Sequence, residues 1–496
     1  MIALKGIAAI ARETPEEPAI VDGPVVMSWR QLEGCTRKKI AFLLAHYGKD
    51  LPKQALYISK NRVELVPWLS AFATLGVPIS GLDYTLSLQS LSSLIEKTGA
   101  TLLLMSSTLW DHRAALDRLA PESVLKIDLD SVTQSFFEEY SYSAQPESAL
   151  SPEQGYALQS YRALGFTSGT TGLPKAVLRT KSFDPRRFAY FTATYGFNRR
   201  DRYLLCMPLY HAAGNGWARL FLSLGATIFI ADLDCPGILV EAMVRHEITT
   251  TTLTPVMLSR LLDHIETAVL GQPAALRWVL VGGKHFPVPL KSRALSVLGS
   301  CVHEYYGTTE TGVNTIADPR DIELCPGSVG RAYDGNKIII IDADGKIVPN
   351  GVPGAVAIHS YMSMDRYLDG DMQRRTIDGL EYLVTPELGY LDDDGRLFLL
   401  NRTADTRQTA HLYRLEDSIR ALPCVADVAI VSGEGAPHCA LSLIKGRLST
   451  DQAVLARVQR LAEAEDVRFE RMAILPSIPY SPSGKVRVQD LEALLA

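Results

Sequence analysis

The stretch Phe166-Thr167-Ser168-Gly169-Thr170-Thr171-Gly172-Leu173-Pro174-Lys175 constrains this chain more than any other. It sets four hydroxyls, two glycines and a lysine between two apolar runs, Tyr161 to Phe166 and Ala176 to Leu178. Two strands must therefore be joined by a loop whose composition suits an anion. Glycine lets backbone approach a phosphate without a Cβ in the way, peptide N–H groups and hydroxyls donate, and the lysine adds a full charge. The loop is not a Walker A sequence, because Lys175 follows Pro174 three residues after the second glycine. The same residues would also serve an ordinary polar hairpin turn.

Around this loop the chain alternates short apolar runs with helix-length segments. Ala55 to Ser59 and Thr101 to Met105 read as strands and Leu86 to Lys97 as a helix, a βαβ rhythm that predicts a mostly parallel sheet between Ala19 and Leu178. Tyr203 to Met207, Ala226 to Ala231, Thr249 to Leu253 and Trp278 to Val281 repeat the pattern, so a second α/β layer follows. Beyond Gly327 the runs Lys337 to Asp342, Ala355 to His359 and Leu397 to Leu400 are separated by Asp-Gly, Asn-Gly and Pro-Gly turns. They predict antiparallel hairpins forming a small β-barrel attached to the α/β body. After Arg402 a helix from Tyr413 to Leu422, strands Val425 to Val431 and Cys439 to Ile444, and helices Asp451 to Glu463 and from Gln489 describe a small α+β domain.

The expected organisation is a large N-terminal unit, 1–401, and a small C-terminal unit, 402–496. A 47% apolar and 21% charged composition excludes disorder, and a net charge of −5 argues against a nucleic-acid partner. Seven cysteines, with no Cys-x-x-Cys pair, point to reduced thiols and a cytoplasmic setting. Leu65 to Leu82 is uncharged and as long as a short membrane span, but Pro67, Gly76, Pro78 and Gly81 interrupt it. A buried helix turning into a buried strand is expected there, with no membrane span. Residues 2–10 read as a first amphipathic helix rather than a signal peptide.

Four further motifs accompany the loop: Met207-Pro208-Leu209-Tyr210-His211, Tyr306-Gly307-Thr308-Thr309-Glu310, Leu388-Gly389-Tyr390-Leu391-Asp392 running to Arg402, and Pro482-Ser483-Gly484-Lys485-Val486-Arg487. In this order the set resembles the adenylate-forming superfamily of acyl-CoA synthetases, peptide-synthetase adenylation domains and luciferase. The resemblance spans nearly the whole chain. It implies an enzyme that uses ATP and Mg2+ to turn a small carboxylic acid into its acyl-adenylate, with pyrophosphate leaving, and then passes the acyl group to an acceptor. CoA is the expected acceptor. An amine, as in coronafacate-ligase-like amide synthetases, is the alternative, and a nucleotide-binding protein without turnover is a third reading.

Residue roles follow from the resemblance. Thr167, Ser168, Gly169, Thr170, Thr171 and Lys175 are implied at the β- and γ-phosphates, and Glu310 with Thr167 at the magnesium. Tyr305, Tyr306, Gly307, Thr308 and Thr309 are implied around adenine and the α-phosphate, with Gly282 and Gly283 beside them. Glu387 and Arg402 match the ribose pair, where relatives carry aspartate instead of glutamate. His211 matches the histidine beside the reacting carboxylate, and Lys485 the mobile lysine that bridges carboxylate and α-phosphate. Two departures bear on the acceptor: Ala404 stands where relatives carry an Asp or Lys hinge, and Gln408 to Tyr413 lacks the glycine of the pantetheine tunnel. No Asp follows His211 within Ala212 to Trp217, which favours an acid without an α-amino group.

Overall fold

A computed structural model describes the chain except residues 110–118, 131–162, 168–173, 180–184, 232–235, 268–272, 371, 403–411, 413–414, 417, 421, 432–435, 445–449, 481–485 and 496. Of residues 163, 185, 236, 401, 402 and 489 it describes the backbone alone.

The first α/β layer is a four-stranded parallel sheet ordered Ile79–Gly81, Ala55–Ile58, Leu102–Met105, Leu125–Asp128. Its uncharged stretch is the expected buried helix and strand. Helix Leu65–Leu75 is buried along most of its length and stops at Gly76, whose φ of 68° closes a left-handed cap, after which strand Ile79–Gly81 enters the sheet. Among the described residues no helix is long and apolar enough to cross a membrane.

The second layer is a nine-stranded sheet. Its order is Arg331–Ala332, Gly312–Ala317, Val302–Thr308, Trp278–Gly282, Thr250–Leu253, Arg202–Leu205, Thr227–Ile230, Pro18–Asp22, Val25–Ser28. The six central strands run parallel and both edges are antiparallel. Here the expectation of one mostly parallel sheet from Ala19 to Leu178 is corrected. The hairpin Pro18–Asp22 and Val25–Ser28 joins the second sheet through Ile20 and Val21 opposite Ile228 and Phe229. The phosphate-loop strands form a third, antiparallel sheet.

One core lies between the two large sheets. It takes Ala55, Tyr57 and Leu104 from the first, Tyr203, Leu205, Trp278 and Leu280 from the second, and Phe72, Trp217 and Phe221 from helices between them. Burying a large apolar side chain of this kind contributes about 1.5–3 kcal/mol. A second cluster packs helices Pro255–Thr267 and Val288–Leu298 on the opposite face of the nine-stranded sheet.

The antiparallel unit expected after Gly327 is five-stranded. Its twelve-residue strand Leu380–Leu391 pairs with Gly354–His359, Arg374–Ile377 and Leu397–Arg402, and Lys337–Ile341 lies beyond Gly354–His359. The C-terminal region has a three-stranded sheet, Val425–Val431, His438–Leu443, Arg471–Ile474, with helices Asp451–Ala464 and Val488–Leu495. Its two hydrophobic clusters draw only on residues from Leu412 onward. The strand Arg471–Ile474 was not expected: Arg-Met-Ala-Ile carries no alternation, and parallel pairing with His438–Leu443 holds it.

Candidate active site

Thr167 and Lys175 end the two strands of a hairpin and stand opposite one another, the Lys175 amide donating to Thr167 Oγ1 at 3.3 Å. A loop between antiparallel strands is thus what the polar-hairpin reading expected. Ser168, Gly169, Thr170 and Thr171 lie outside the described residues. The incoming strand Ala163–Thr167 rests on the next motif, since a Cβ at Gly165 would come 3.0 Å from Thr309 Cγ2.

Thr309 and Glu310 occupy a tight turn between strands Val302–Thr308 and Gly312–Ala317, with Thr308 opposite Gly312. Gly307 is required because a Cβ would meet the Gly312 carbonyl at 2.4 Å. Thr308 Oγ1 accepts from the Glu310 and Thr311 amides at 3.2 Å each, and Asn314 donates to Thr311 Oγ1 at 2.9 Å. Outside the turn, the Met364 amide donates to the Glu310 carbonyl at 2.6 Å and Arg179 donates to the Thr309 carbonyl. The backbone carrying Glu310 is therefore held on both sides.

The third strand of the hairpin sheet, Arg366–Tyr367, lies against Lys175–Arg179. Tyr367 donates to Glu310 Oε1 at 2.8 Å, and its ring centre lies 5.2 Å from Lys175 Nζ. Burial, then the charge of Glu310, raises the Tyr367 phenol above its ordinary range, so it stays a donor. One aromatic ring thus spaces the cation expected at phosphates from the carboxylate expected at magnesium. These residues fit a hydrated divalent ion bound jointly with phosphates. Among the described residues no three His, Cys, Asp or Glu side chains gather into a closed metal cage, and magnesium characteristically takes one or two carboxylates plus substrate phosphates.

Tyr306 is buried against Val356, Ile358 and Leu397, and its hydroxyl donates to Glu387 Oε2 at 3.3 Å. Glu387 in turn stands directly opposite Arg402 across neighbouring strands, so the pair expected at the ribose shares one register position. Tyr305 points the other way. A Cβ on Gly282 would lie 2.5 Å from its ring, so glycine is needed there for the close approach, while Gly283 adopts a φ of 80° that favours glycine. Burial pushes the Tyr305 phenol up to about 12.

His211 caps helix Ala212–Ser223, its Nδ1 accepting from the Ala213 amide at 3.4 Å. Two features fix the turn before it. Asn61 clamps it, donating to the Met207 carbonyl at 3.0 Å and accepting from the Leu209 amide at 2.7 Å. Gly214 allows the helix to start there, since a Cβ would strike the Pro208 carbonyl at 2.1 Å.

Lys485, His411 and Ala404 lie outside the described residues. Tyr480 and Val486, which flank the Lys485 segment, form an antiparallel bridge. The Tyr480 ring lies under the ammonium of Lys284 at 5.1 Å and the guanidinium of Arg260 at 5.7 Å. Lys284 follows Gly283, so this contact joins the C-terminal region to the glycine pair. Tyr367, Asn61, Arg179 and Tyr480 were not found by sequence reading. Each acts through a partner distant in the chain, as Tyr367 does with Glu310 57 residues away.

Comparison with known proteins places this arrangement. Residues 7–368 match the family model for AMP-binding enzymes. The chain is 26% identical to the 2-succinylbenzoate–CoA ligase of Bacillus subtilis (strain 168), over 96% of this chain and 95% of that one. It is 25% identical to the fatty acid–[acyl-carrier-protein] ligase ScoC of Streptomyces coeruleorubidus, over 97% and 94%. Among solved structures, the O-succinylbenzoate coenzyme A synthetase MenE of Bacillus subtilis in complex with AMP superposes with a TM-score of 0.77 at 22% identity, covering 98% of each chain. The amide bond synthetase McbA of Marinactinospora thermotolerans superposes at 0.75 with 21% identity, covering 99% of each. By the family match across most of its length, with the fold in agreement, the chain belongs to the AMP-binding enzymes.

Proposed function

We propose that this protein is an AMP-forming acid ligase: it activates a carboxylic acid as its acyl-adenylate and passes the acyl group to an acceptor thiol, that of CoA. The observation that carries this reading is the Lys175–Tyr367–Glu310 arrangement, which sets a cation and a carboxylate on either side of one ring at the mouth of the Gly/Thr hairpin. An acid carboxylate must approach a triphosphate, so the reaction needs positive charge and fixed donors where negative charge collects. Lys175 and Thr167 supply them at the β- and γ-phosphates, and Thr309 at the α-phosphate. Glu310 would hold magnesium, which when bound neutralises charge on the phosphates. Glu387 and Arg402 take the ribose, and Tyr305, Tyr306, Gly282 and Gly283 surround adenine and the acyl group. His211 lies beside the reacting carboxylate, and Lys485 bridges it to the α-phosphate. Residues 402–496 act as a small mobile domain on the body 1–401, a division supported by the separate hydrophobic clusters of the C-terminal region.

An amine as acceptor is the second reading, favoured by the fold likeness to an amide bond synthetase and by Ala410-His411 in place of a tunnel glycine. The test is a mass-spectrometric screen of carboxylic acids for acyl-AMP with ATP and magnesium, repeated with CoA and with small amines. Acid-dependent acyl-AMP followed by thioester supports the first reading, and amide without thioester supports the second. Nucleotide binding with no acid-dependent pyrophosphate release overturns both.

A further inference from the structure

Three strands make up the sheet that carries the Gly/Thr hairpin, and each sends one contact to the turn at Thr309 and Glu310. From Ala163–Thr167 the contact is Gly165, where a Cβ would come 3.0 Å from Thr309 Cγ2. From Arg366–Tyr367 it is the Tyr367 hydroxyl on Glu310 Oε1 at 2.8 Å. From Lys175–Arg179 it is the guanidinium of Arg179, whose Nη2 donates to the Thr309 carbonyl. Thr309 is thus held through its side chain by one strand and through its backbone by the next.

Of the three, Arg179 is the residue whose chemistry exceeds what its contact requires. A neutral donor would satisfy a carbonyl, and covering a guanidinium works against folding. Burial, then the charge of Arg187, lowers Arg179 to about 10, with Glu310 and Asp365 drawing the other way, so it remains a cation at neutral pH. Asp365 is brought there by its amide, which donates to the Leu178 carbonyl at 2.9 Å, and the neighbouring Met364 amide takes the Glu310 carbonyl at 2.6 Å. One cation therefore sits where the outgoing strand, the turn and the segment before Tyr367 meet.

The peptide that this cation binds is the one joining Thr309 to Glu310. Its N–H donates to Thr308 Oγ1 at 3.2 Å and its carbonyl accepts from Arg179, so a planar unit is pinned at both ends. Pinning that plane sets the directions in which the Thr309 and Glu310 side chains leave the turn. The charge has a second effect, because a peptide oxygen carries partial negative charge that would repel a nearby triphosphate, and a guanidinium on that oxygen offsets it.

We propose that Arg179 is a positioning residue for adenylation: by pinning the Thr309–Glu310 peptide it holds the residues assigned above to the α-phosphate and to magnesium in register with the hairpin that carries Lys175. The proposal rests on the acid-activation reading and deepens it by adding a residue that acts on the phosphate site through the turn.

The experiment uses the full-length enzyme with ATP, magnesium and an acid that the parent activates. It measures single-turnover acyl-AMP formation and, separately, acyl transfer from synthetic acyl-AMP. Arg179→Met, which keeps side-chain length without charge or donor, should slow acyl-AMP formation at saturating substrates by about 10–100-fold, the scale of losing a hydrogen bond to a charged group. The acid's KM and the transfer rate should stay within about twofold. Arg179→Lys should recover part of the loss, because an ammonium keeps a charge and a donor. In a Thr309→Ala background the same Arg179→Met change should cost at least about threefold less than in the parent, since one of the side chains it sets has gone. Losses that multiply in full overturn the proposal. So do equal losses in the two half-reactions, which would make Arg179 a packing residue of its strand, and so does an unchanged rate of acyl-AMP formation. If Arg179→Met does not fold, Arg179→Lys is compared with Arg179→Gln: a faster Lys variant in acyl-AMP formation alone supports the proposal, and equal rates overturn it. A parent that binds ATP yet forms no acyl-AMP with any acid overturns the acid-activation reading itself, and this proposal with it.

Discussion

Arg62 and Arg187 are both partly buried arginines, and their surroundings differ. Arg62 lies at the edge of the parallel sheet between Glu64 and Asp130, with Asp130 further held by the Thr108 amide and the Ser106 hydroxyl at 2.8 Å each. Its charge is answered within the chain, so it ties strand ends together. Among the described residues Arg187 stacks on the rings of Trp217 and Phe191, and Arg179 donates to the Thr309 carbonyl, with the charges of Glu310 and Asp365 acting on it.

The largest expected effect belongs to the cation proposed to meet the substrate. Lys485→Ala should abolish adenylation while sparing transfer from synthetic acyl-AMP, with a loss of about 2.7–4 kcal/mol in the first step, or about 10²–10³ in rate. Single-turnover assays of each half-reaction check this, and an equal loss in both removes Lys485 from the adenylation site. Next comes stability. Arg62→Ala strands two carboxylates and should cost about 2 kcal/mol in urea denaturation. Arg187→Gln should cost less than about 1 kcal/mol, the scale of the cation–π contacts it loses. Reversed sizes would break the comparison between the two arginines.

Smaller effects sharpen it at the metal. Glu310→Gln should raise the magnesium needed for half-maximal pyrophosphate release far more than it changes the acid's KM. Tyr367→Phe removes one hydrogen bond to that carboxylate and should shift the same titration by about fivefold, the equivalent of about 1 kcal/mol. An unchanged magnesium titration in both variants would make Glu310 a structural residue of its turn. The smallest effect concerns pH. Burial pushes the Asp130 carboxyl up, but the Thr108 amide, Arg62 and Ser106 outweigh it and bring the carboxyl down to about 2 from 3.8. The stabilisation is present above about pH 4 and is lost as pH falls through 2. Urea midpoints across this window should fall more steeply in the parent than in Asp130→Asn.

Much of this molecule is legible in its sequence because the chemistry that shapes it is local. Helix Trp29–Tyr47 starts at Ser28 because Ser28 and Gln31 form a reciprocal capping box, at 2.7 and 3.3 Å, and both residues are visible in the sequence. The break at Gly76 and the strands Ala55–Ile58, Thr250–Leu253 and Val425–Val431 likewise follow from residue types within a few positions of one another. So does the tight turn at Glu310, flanked by Gly307 and Gly312.

The tertiary structure decided what those elements touch. That Pro18–Asp22 pairs with Thr227–Ile230 depends on an exposed sheet edge, which no local pattern specifies. Asn61 reaches the turn before His211 across 148 residues and Arg179 reaches Thr309 across 130, because the parallel connections bring strand ends together however far apart they lie in the chain. Arg187 is the sharpest case. Its residue type is plain in the sequence, but the stacking of its guanidinium on Trp217 exists only once helices Pro185–Tyr195 and Ala212–Ser223 have packed together. The residues themselves determine which chemistry the chain can offer, because donors, charges and backbone freedom are local properties. Whether a charge is spent on the fold or left for a substrate is decided by packing, because it depends on what every other segment brings within a few ångströms.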